Sequence, residues 1–229
     1  EGVPLTGLIN FWKHLLLNPD KAVRKQLYGF LEHNGHPITD KGYFLAYKAC
    51  KVKSVYDKET GEEKVQFKYN EDTGEQDEKY TQSLTFSPYH SGAHGMVIKC
   101  GTPITMPRED CDSDPERTCS DGLHVGSMEY VHDFGYGAGV ILEVLVSPRN
   151  VVAVPSDYNN TKMRTCEYFP IAINNGENES VFLESDYTAF DNPQMKKELQ
   201  EYETAKRTQI SELETELAQN SEIADSLMA

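Results

Sequence analysis

The sequence predicts an α+β fold, with an amino-terminal helical hairpin packed on a mostly antiparallel sheet and a coiled-coil-like helix at the carboxy terminus. Two patterns support this prediction. Apolar residues recur at helical spacing over residues 5–31 and again beyond residue 193, while short runs rich in β-branched and aromatic residues lie between them. The hydrophobic fraction of 38% and the charged fraction of 26% are typical of globular proteins. We therefore predict an α+β domain over residues 1–190 and a helical tail over residues 191–229.

The helical hairpin is predicted from one set of apolar positions. These are Leu8, Phe11, Trp12, Leu15, Leu16, Val23, Leu27, Phe30 and Leu31. Asn18-Pro19-Asp20 interrupts them, so we expect Asn18 to cap the second helix and Pro19 to take its first position. The run from His33 to Pro37 is expected to end that helix.

Several strands follow along the chain. The most regular apolar run is at residues 139–146. A short strand is expected to lead into a helix that runs from Met128 to Phe134. The last strand region is expected to break at Pro170. Besides 139–146, the predicted strands lie at residues 43–48, 96–99, 122–127, 151–154 and 162–173.

Residues 57–82 predict a surface hairpin inserted into the domain. The segment is polar, and Gly61 and Gly74 lie in turn-like settings. Only residues 65–69 alternate between apolar and polar positions in the way a strand does.

The tail predicts one uninterrupted helix, since no Gly or Pro follows Pro193. From Ile210 onward the apolar spacing alternates three and four residues, which is typical of a coiled-coil seam. Glu203, Lys206 and Asn220 interrupt its core positions. We therefore predict a short coiled coil and a homo-oligomer formed through residues 194–229.

Charge and composition exclude several functional classes. The formal net charge of -15 repels phosphate backbones, so we expect no nucleic acid as a partner. No apolar run reaches the length of a transmembrane segment. The five cysteines form an odd set without tight repeated spacing, which predicts free thiols in a reducing cytoplasm.

An ordered set of motifs resembles one known family. The motifs lie at residues 44–48, 106–108, 118–125, 151–160 and 162–166, and Asn18-Pro19 adds to them. In content and order they resemble the carboxy-terminal domain of the rIIB lysis-inhibition protein family of T-even-type phages. Residues 59–100 look longer than the family segment, and the heptad tail is not a family feature. The family-motif residues are Tyr47, Lys48, Pro107, Arg108, Cys119, Gly122, Leu123, His124, Asp157, Lys162 and Arg164.

The resemblance implies a phage accessory protein that acts by protein binding in the host-cell cytoplasm, at the inner membrane face. It implies an rIIA-like ATPase as partner, and a role in delaying lysis and in countering a host or prophage exclusion system. It supplies no biochemical activity, so we expect neither an enzyme nor a cofactor. An oligomeric scaffold that uses the tail is compatible with the same residues.

A weaker resemblance supplies an enzymatic alternative. The strand and helix from Gly122 to Tyr130 resemble the nicotinamide-binding segment of ADP-ribosyltransferase folds. This resemblance implies NAD as cofactor, with His124, Ser127 and Tyr130 at its ring and Glu167 at its ribose. In the structural interpretation, which we favour, Gly122 makes a tight turn, His124 hydrogen-bonds inside the fold and Ser127 caps the helix.

Two metal sites are weighed and not favoured. Zinc would need ligands that lack the short spacing of a structural zinc knuckle: Cys119, His124, His132 and Cys166. Calcium would need a glycine and a terminal glutamate that do not follow Asp110, Asp112 and Asp114. We expect basic residues to bond these acids instead, namely Arg108, Arg117, Lys162 and Arg164.

Overall fold

The computed structural model divides the chain into two compact units, residues 1–190 and 191–229. The first unit combines helices with a large antiparallel sheet, as predicted, and the second is one long helix. The residues that the structure describes are 5–53, 55–56, 59–60, 63–64, 73, 84–89, 96–134, 139–155, 161–174, 182–183 and 193–228.

The predicted helical hairpin is present, but a different residue caps its second helix. Helix α1 spans Leu5–Leu16 and α2 spans Lys21–Asn34. The Asp20 carboxylate caps α2 by accepting from the amides of Ala22 at 2.7 Å and Val23 at 3.3 Å. The prediction that Asn18 is the cap is therefore wrong, because its side chain is buried and bonds elsewhere.

The strands and the remaining helices are short except for three strands and the tail. Helix α3 spans Met128–Phe134 and α4 spans Pro193–Met228, and single turns of 3₁₀ helix cover Arg108–Asp110 and Pro148–Asn150. The described strands are β1 Ile38–Thr39, β2 Phe44–Val52, β3 Val55–Tyr56, β4 Glu63–Lys64, β5 Phe86–Pro88, β6 Ile104–Thr105, β7 Leu123–Gly126, β8 Val140–Val146, β9 Val151–Ala153, β10 Lys162–Thr165, β11 Glu167–Ile173 and β12 Phe182–Leu183.

One mixed sheet organises the first unit. Its central order is β6-β11-β8-β2-β7-β10-β9, with β5 and β1 attached to β2 and β12 attached to β1. Only the β1–β12 pair is parallel among the described strands. The longest pair joins β2 to β8, from Phe44 opposite Val146 to Cys50 opposite Val140. These two strands therefore form the centre of the sheet.

Two strand predictions need correction. The region 162–173 breaks at Cys166, not at Pro170, which lies within β11 opposite Val144. A register shift between Pro170 and Ala172 accommodates the proline, since it has no amide hydrogen to donate to the ladder. Within the predicted strand 96–99, only Ile98 forms a bridge, with Phe86.

The predicted hairpin at residues 57–82 is described only at its base. There β3 pairs with β4, with Val55 opposite Lys64 and Tyr56 opposite Glu63. The alternating segment 65–69 lies outside the described residues.

The helical hairpin packs on one face of the sheet and forms the main core. Helix α1 lies directly against the turn before β2, because a Cβ on Gly42 would be 2.3 Å from the Phe11 amide nitrogen. Gly42 also has a φ of 85°, which favours glycine. The core side chains include Phe11, Leu15, Val23, Leu27 and Phe30 from the helices and Phe44, Ala46, Leu142, Val144, Val146 and Tyr168 from the sheet.

Two buried histidines lie in this core. His36 donates from Nδ1 to the Leu45 carbonyl at 2.7 Å and stacks on Phe30 with 4.8 Å between ring centroids. Burial lowers the pKa of His36 to about 4. The pKa of His14 is also lowered to about 4, mainly by burial and further by Arg149. Both rings are therefore neutral at pH 7.

We predict that the protein loses stability as the pH falls from 7 to 5.5. The folded-state pKa values of His14 and His36 lie below the ordinary value of 6.5, so the unfolded chain binds more protons between pH 6.5 and 4. Each ring should cost roughly 1 kcal/mol of unfolding free energy at pH 5.5. Urea denaturation at both pH values measures this loss, and His36→Gln should reduce it. Equal denaturation midpoints at the two pH values would contradict the prediction.

Candidate functional site

Three cationic family-motif residues are buried in the sheet. Lys48 lies on β2, and Lys162 and Arg164 lie on β10; they are 8%, 1% and 0% exposed. An isolated buried charge is costly unless its hydrogen-bonding groups are satisfied. Each of the three donates to main-chain carbonyl oxygens.

Lys162 and Arg164 donate hydrogen bonds to the main chain of one surface loop. We call this segment, residues 112–121, the anchored loop. Lys162 Nζ donates to the Thr118 carbonyl at 2.6 Å, and the Arg164 guanidinium donates to the carbonyls of Asp114 and Arg117. Both cations were expected to bond acidic side chains. In the structure they donate to three loop carbonyls.

Asp112 forms several hydrogen bonds with other residues of the anchored loop. The Asp112 carboxylate accepts from the Ser120 hydroxyl, from the Asp114 amide at 2.9 Å and from Arg117 at 3.3 Å. The Ser120 bond, above all, lowers the pKa of Asp112 to about 2. The Asp112 amide donates to the Asp121 carbonyl at 2.9 Å, which joins the two ends. Of the four bases expected to bond these acids, Arg117 contacts the carboxylates of both Asp112 and Asp114.

Gly122 links the anchored loop to β7. Its φ is 140°, and a Cβ there would lie 3.3 Å from Arg164 Cδ. A side chain at this position would therefore be strained and would crowd the buried guanidinium. Leu123 follows directly and is buried in the core.

Lys48 ties β2 to β7. Its Nζ donates to the His124 carbonyl at 2.7 Å and lies 5.5 Å from the centre of the Tyr168 ring. Burial lowers the pKa of Lys48. The neighbouring Tyr47 lies opposite Gly126 on β7. Lys48 is thus part of the sheet interior.

A fourth cation, Arg108, joins the helical hairpin to the sheet. Its Nη2 donates to Asn18 Oδ1 at 3.1 Å and to the Val151 carbonyl at 2.9 Å, and its Nη1 donates to the Arg149 carbonyl at 3.0 Å. Asn18 Nδ2 in turn donates to the carbonyls of Pro148 at 2.9 Å and Val151 at 2.8 Å. We call this pair the Asn18–Arg108 clamp. Pro107, another family-motif residue, directly precedes Arg108 in the chain.

The residues proposed for a nicotinamide site form local structure at the start of α3. Ser127 is 4% exposed, and its hydroxyl accepts from the Tyr130 amide at 3.3 Å, as a helix cap does. The Tyr130 ring packs over Gly126, where a Cβ would be 2.6 Å from Tyr130 Cδ1. His124 is half-buried, and its carbonyl accepts from Lys48.

Glu167 lies apart from this group. On antiparallel β7 and β10, Lys162 is opposite Gly126 and Thr165 is opposite Leu123, so Glu167 lies beyond the far end of β7. It is the first residue of β11, past the break at Cys166 and the register shift between Arg164 and Thr165. There its carboxylate accepts from Asn150 Nδ2 at 3.0 Å, and burial raises its pKa. The structure thus brings His124, Ser127 and Tyr130 together without Glu167.

The residues weighed as zinc ligands lie on separate elements. Cys119 is exposed on the anchored loop, the His132 side chain is 71% exposed on α3, and Cys166 Sγ is 3.9 Å from Arg108 Nη1. Within the described part of the chain, no three His, Cys, Asp or Glu side chains are placed to hold a metal ion. Asp157 lies outside the described residues.

Comparisons with known proteins point to one phage protein. The family model described as "Bacteriophage T4 protein rIIB" matches residues 89–178. The curated protein rIIB of Enterobacteria phage T4 is 36% identical to this chain over 158 residues, which make up 69% of this chain. The chain spans 40% of the length of that relative. No solved structure matches the chain.

We predict that Arg164→Met destabilises the fold and loosens the anchored loop. The substitution removes the charged donor that bonds the carbonyls of Asp114 and Arg117, which should cost about 2–4 kcal/mol of unfolding free energy. Subtilisin should also cut residues 112–121 faster. Arg117→Met is the matched control, because that side chain is 69% exposed and its ion pairs contribute about 1 kcal/mol or less. Equal effects of the two substitutions would contradict the anchoring role.

We predict that His124→Ala lowers thermal stability and that the unsubstituted protein gives no saturable heat with NAD. A structural histidine in this position should cost on the order of 1–3 kcal/mol when its side chain is removed. Calorimetric titration measures NAD binding, and melting curves measure the stability of the unsubstituted protein and of His124→Ala. Ser127→Ala tests the helix cap by the same melting measurement. Saturable NAD binding that His124→Ala abolishes at an unchanged melting temperature would favour the transferase alternative.

Proposed function

Since this chain is a relative of the phage rIIB proteins, as the motif resemblance predicted, we propose that it is a phage accessory protein that acts by protein binding. Its role in this proposal is lysis inhibition and the countering of a host or prophage exclusion system. No enzymatic step is part of the proposal.

One observation supports binding over catalysis. Four motif residues that could carry chemistry in a cleft, Lys48, Arg108, Lys162 and Arg164, instead donate to main-chain carbonyls. A cation that is buried and held in this way supports the shape of the domain. The family motif therefore encodes a scaffold that presents surfaces to a partner.

The proposed partner is an rIIA-like ATPase, and the proposed site of action is the host-cell cytoplasm at the inner membrane face. In the described residues, no helix is long and apolar enough to cross a bilayer. The formal net charge of -15 disfavours nonspecific association with nucleic acid. These points are compatible with a protein as the binding partner.

Self-association through α4 is the second part of the proposal. Ile210, Leu213 and Leu217 are 54%, 56% and 71% exposed along one heptad seam. Exposed apolar side chains at this spacing are typical of helices that pair. Such pairing would also suit an oligomeric scaffold, and it would present two copies of the α+β unit to the partner.

We predict that the full chain forms a stoichiometric complex with a purified rIIA-like protein and delays lysis when it is supplied to a phage that lacks its rIIB gene. Sedimentation velocity measures the complex, and culture turbidity measures the time of lysis. The Arg117→Met variant alters an exposed side chain and should fold normally, so it serves as a control for the amount of folded protein in the cell. A folded chain that neither sediments with the rIIA-like protein nor delays lysis would contradict the proposal.

A further inference from the structure

The charge on α4 is divided unevenly along its length. Residues 193–209 contain four bases and three acids, whereas residues 210–220 contain three acids and no base. The apolar seam formed by Ile210, Leu213 and Leu217 begins where the bases end. An antiparallel pair would bring the bases of one copy toward the acids of residues 210–220 in the other.

A parallel pair places like charges against each other in the core. Ile210 and Leu217 occupy the a positions of the heptad and Leu213 occupies a d position, which puts Glu203 at a and Lys206 at d. In parallel register, each of these residues faces its own copy. Glu203 would then meet a second Glu203 and Lys206 a second Lys206, and both contacts are repulsive.

An antiparallel pair removes both repulsions, because each a position faces a d position. Aligning Ile210 with Leu213 of the second copy gives a central apolar layer on each side of the two-fold axis. The same register places Lys206 against Leu217 of the second copy, so that the lysine stem can cover the leucine while its ammonium reaches water. Glu203 then faces Asn220 of the second copy, whose amide can donate to the carboxylate.

The flanking positions match as well. In this register Arg207 lies beside Glu214 of the second copy, and two-fold symmetry makes the pair twice. Arg207 and Glu214 are both exposed along the helix. A parallel pair would instead place Arg207 beside Tyr202 and Glu214 beside Gln209 of the second copy. The overlap from 203 to 220 covers 18 residues, about 27 Å of helix.

We propose that α4 pairs with α4 of a second copy of this chain in antiparallel orientation, with Arg207 facing Glu214. This inference rests on the self-association proposed above and adds its direction and register.

Charge-reversed variants of the full chain test the direction of pairing. Arg207→Glu and Glu214→Arg each turn two attractive contacts into repulsive ones, so each variant alone should weaken self-association by roughly tenfold. An equimolar mixture of the two variants restores attraction at both contacts, and it should associate about as tightly as the unsubstituted chain. Sedimentation equilibrium over a concentration series measures all three. Glu212→Arg, at an outward position of the same helix, should leave association unchanged.

The outcomes separate this inference from the proposal beneath it. A monomeric unsubstituted chain, or one whose mass per particle is unchanged when residues 194–229 are deleted, contradicts self-association through α4 and the antiparallel pair with it. Association that requires the tail overturns only the antiparallel register if neither variant weakens it, or if both variants weaken it and mixing them does not restore it. Weakening of each variant with recovery on mixing supports it.

Discussion

A charged side chain inside a protein must find hydrogen-bond acceptors there, and in this fold the main chain supplies them. Lys48, Arg108, Lys162 and Arg164 all donate to carbonyl oxygens of distant segments, although Arg164 Nε is buried without a hydrogen-bond partner among the described residues. Lys162 bonds a residue 44 positions away and Lys48 one 76 positions away. Strand order, the anchored loop and the position of the helical hairpin therefore depend on the same few contacts.

Local patterns predicted the elements of the fold well. The apolar run that became β8 and the helical spacing of α1 and α2 required only periodicity. The errors arose where a distant partner decides the outcome. Asn18 has the right chemistry for a cap, but it bonds Pro148 and Val151, and the adjacent Asp20 takes its place. A sequence pattern cannot state which of two neighbouring polar residues faces the sheet.

The sequence identified residues of the candidate site but did not predict their contacts. The family motif includes Lys162 and Arg164, which are indeed close together, yet their burial and their carbonyl partners follow from the sheet register. Asn18 and Arg108 were also recognised, 90 positions apart, without any signal that they bond each other. The strand and helix around His124 were predicted correctly, and the register of β10 then places Glu167 away from them.

The residues of the family motif have a structural role in this fold. Its members carry polar and charged groups, and the structure uses them to hold a loop, a hairpin and a sheet in one arrangement. Such groups are costly to bury and therefore specific, because only matching acceptors offset their desolvation. A binding protein gains from this specificity, since its function depends on the shape that it presents to a partner.

The anchored loop also has a consequence for how the protein can change during evolution. Lys162 and Arg164 donate hydrogen bonds to carbonyl oxygens, which every amino acid provides. These bonds therefore do not depend on which side chains the loop carries. Exposed positions such as Glu116 and Thr118 can therefore be replaced while the loop keeps its path. Gly122 has no such freedom, because a side chain there would meet Arg164. The loop can thus acquire new side chains on an unchanged main-chain path.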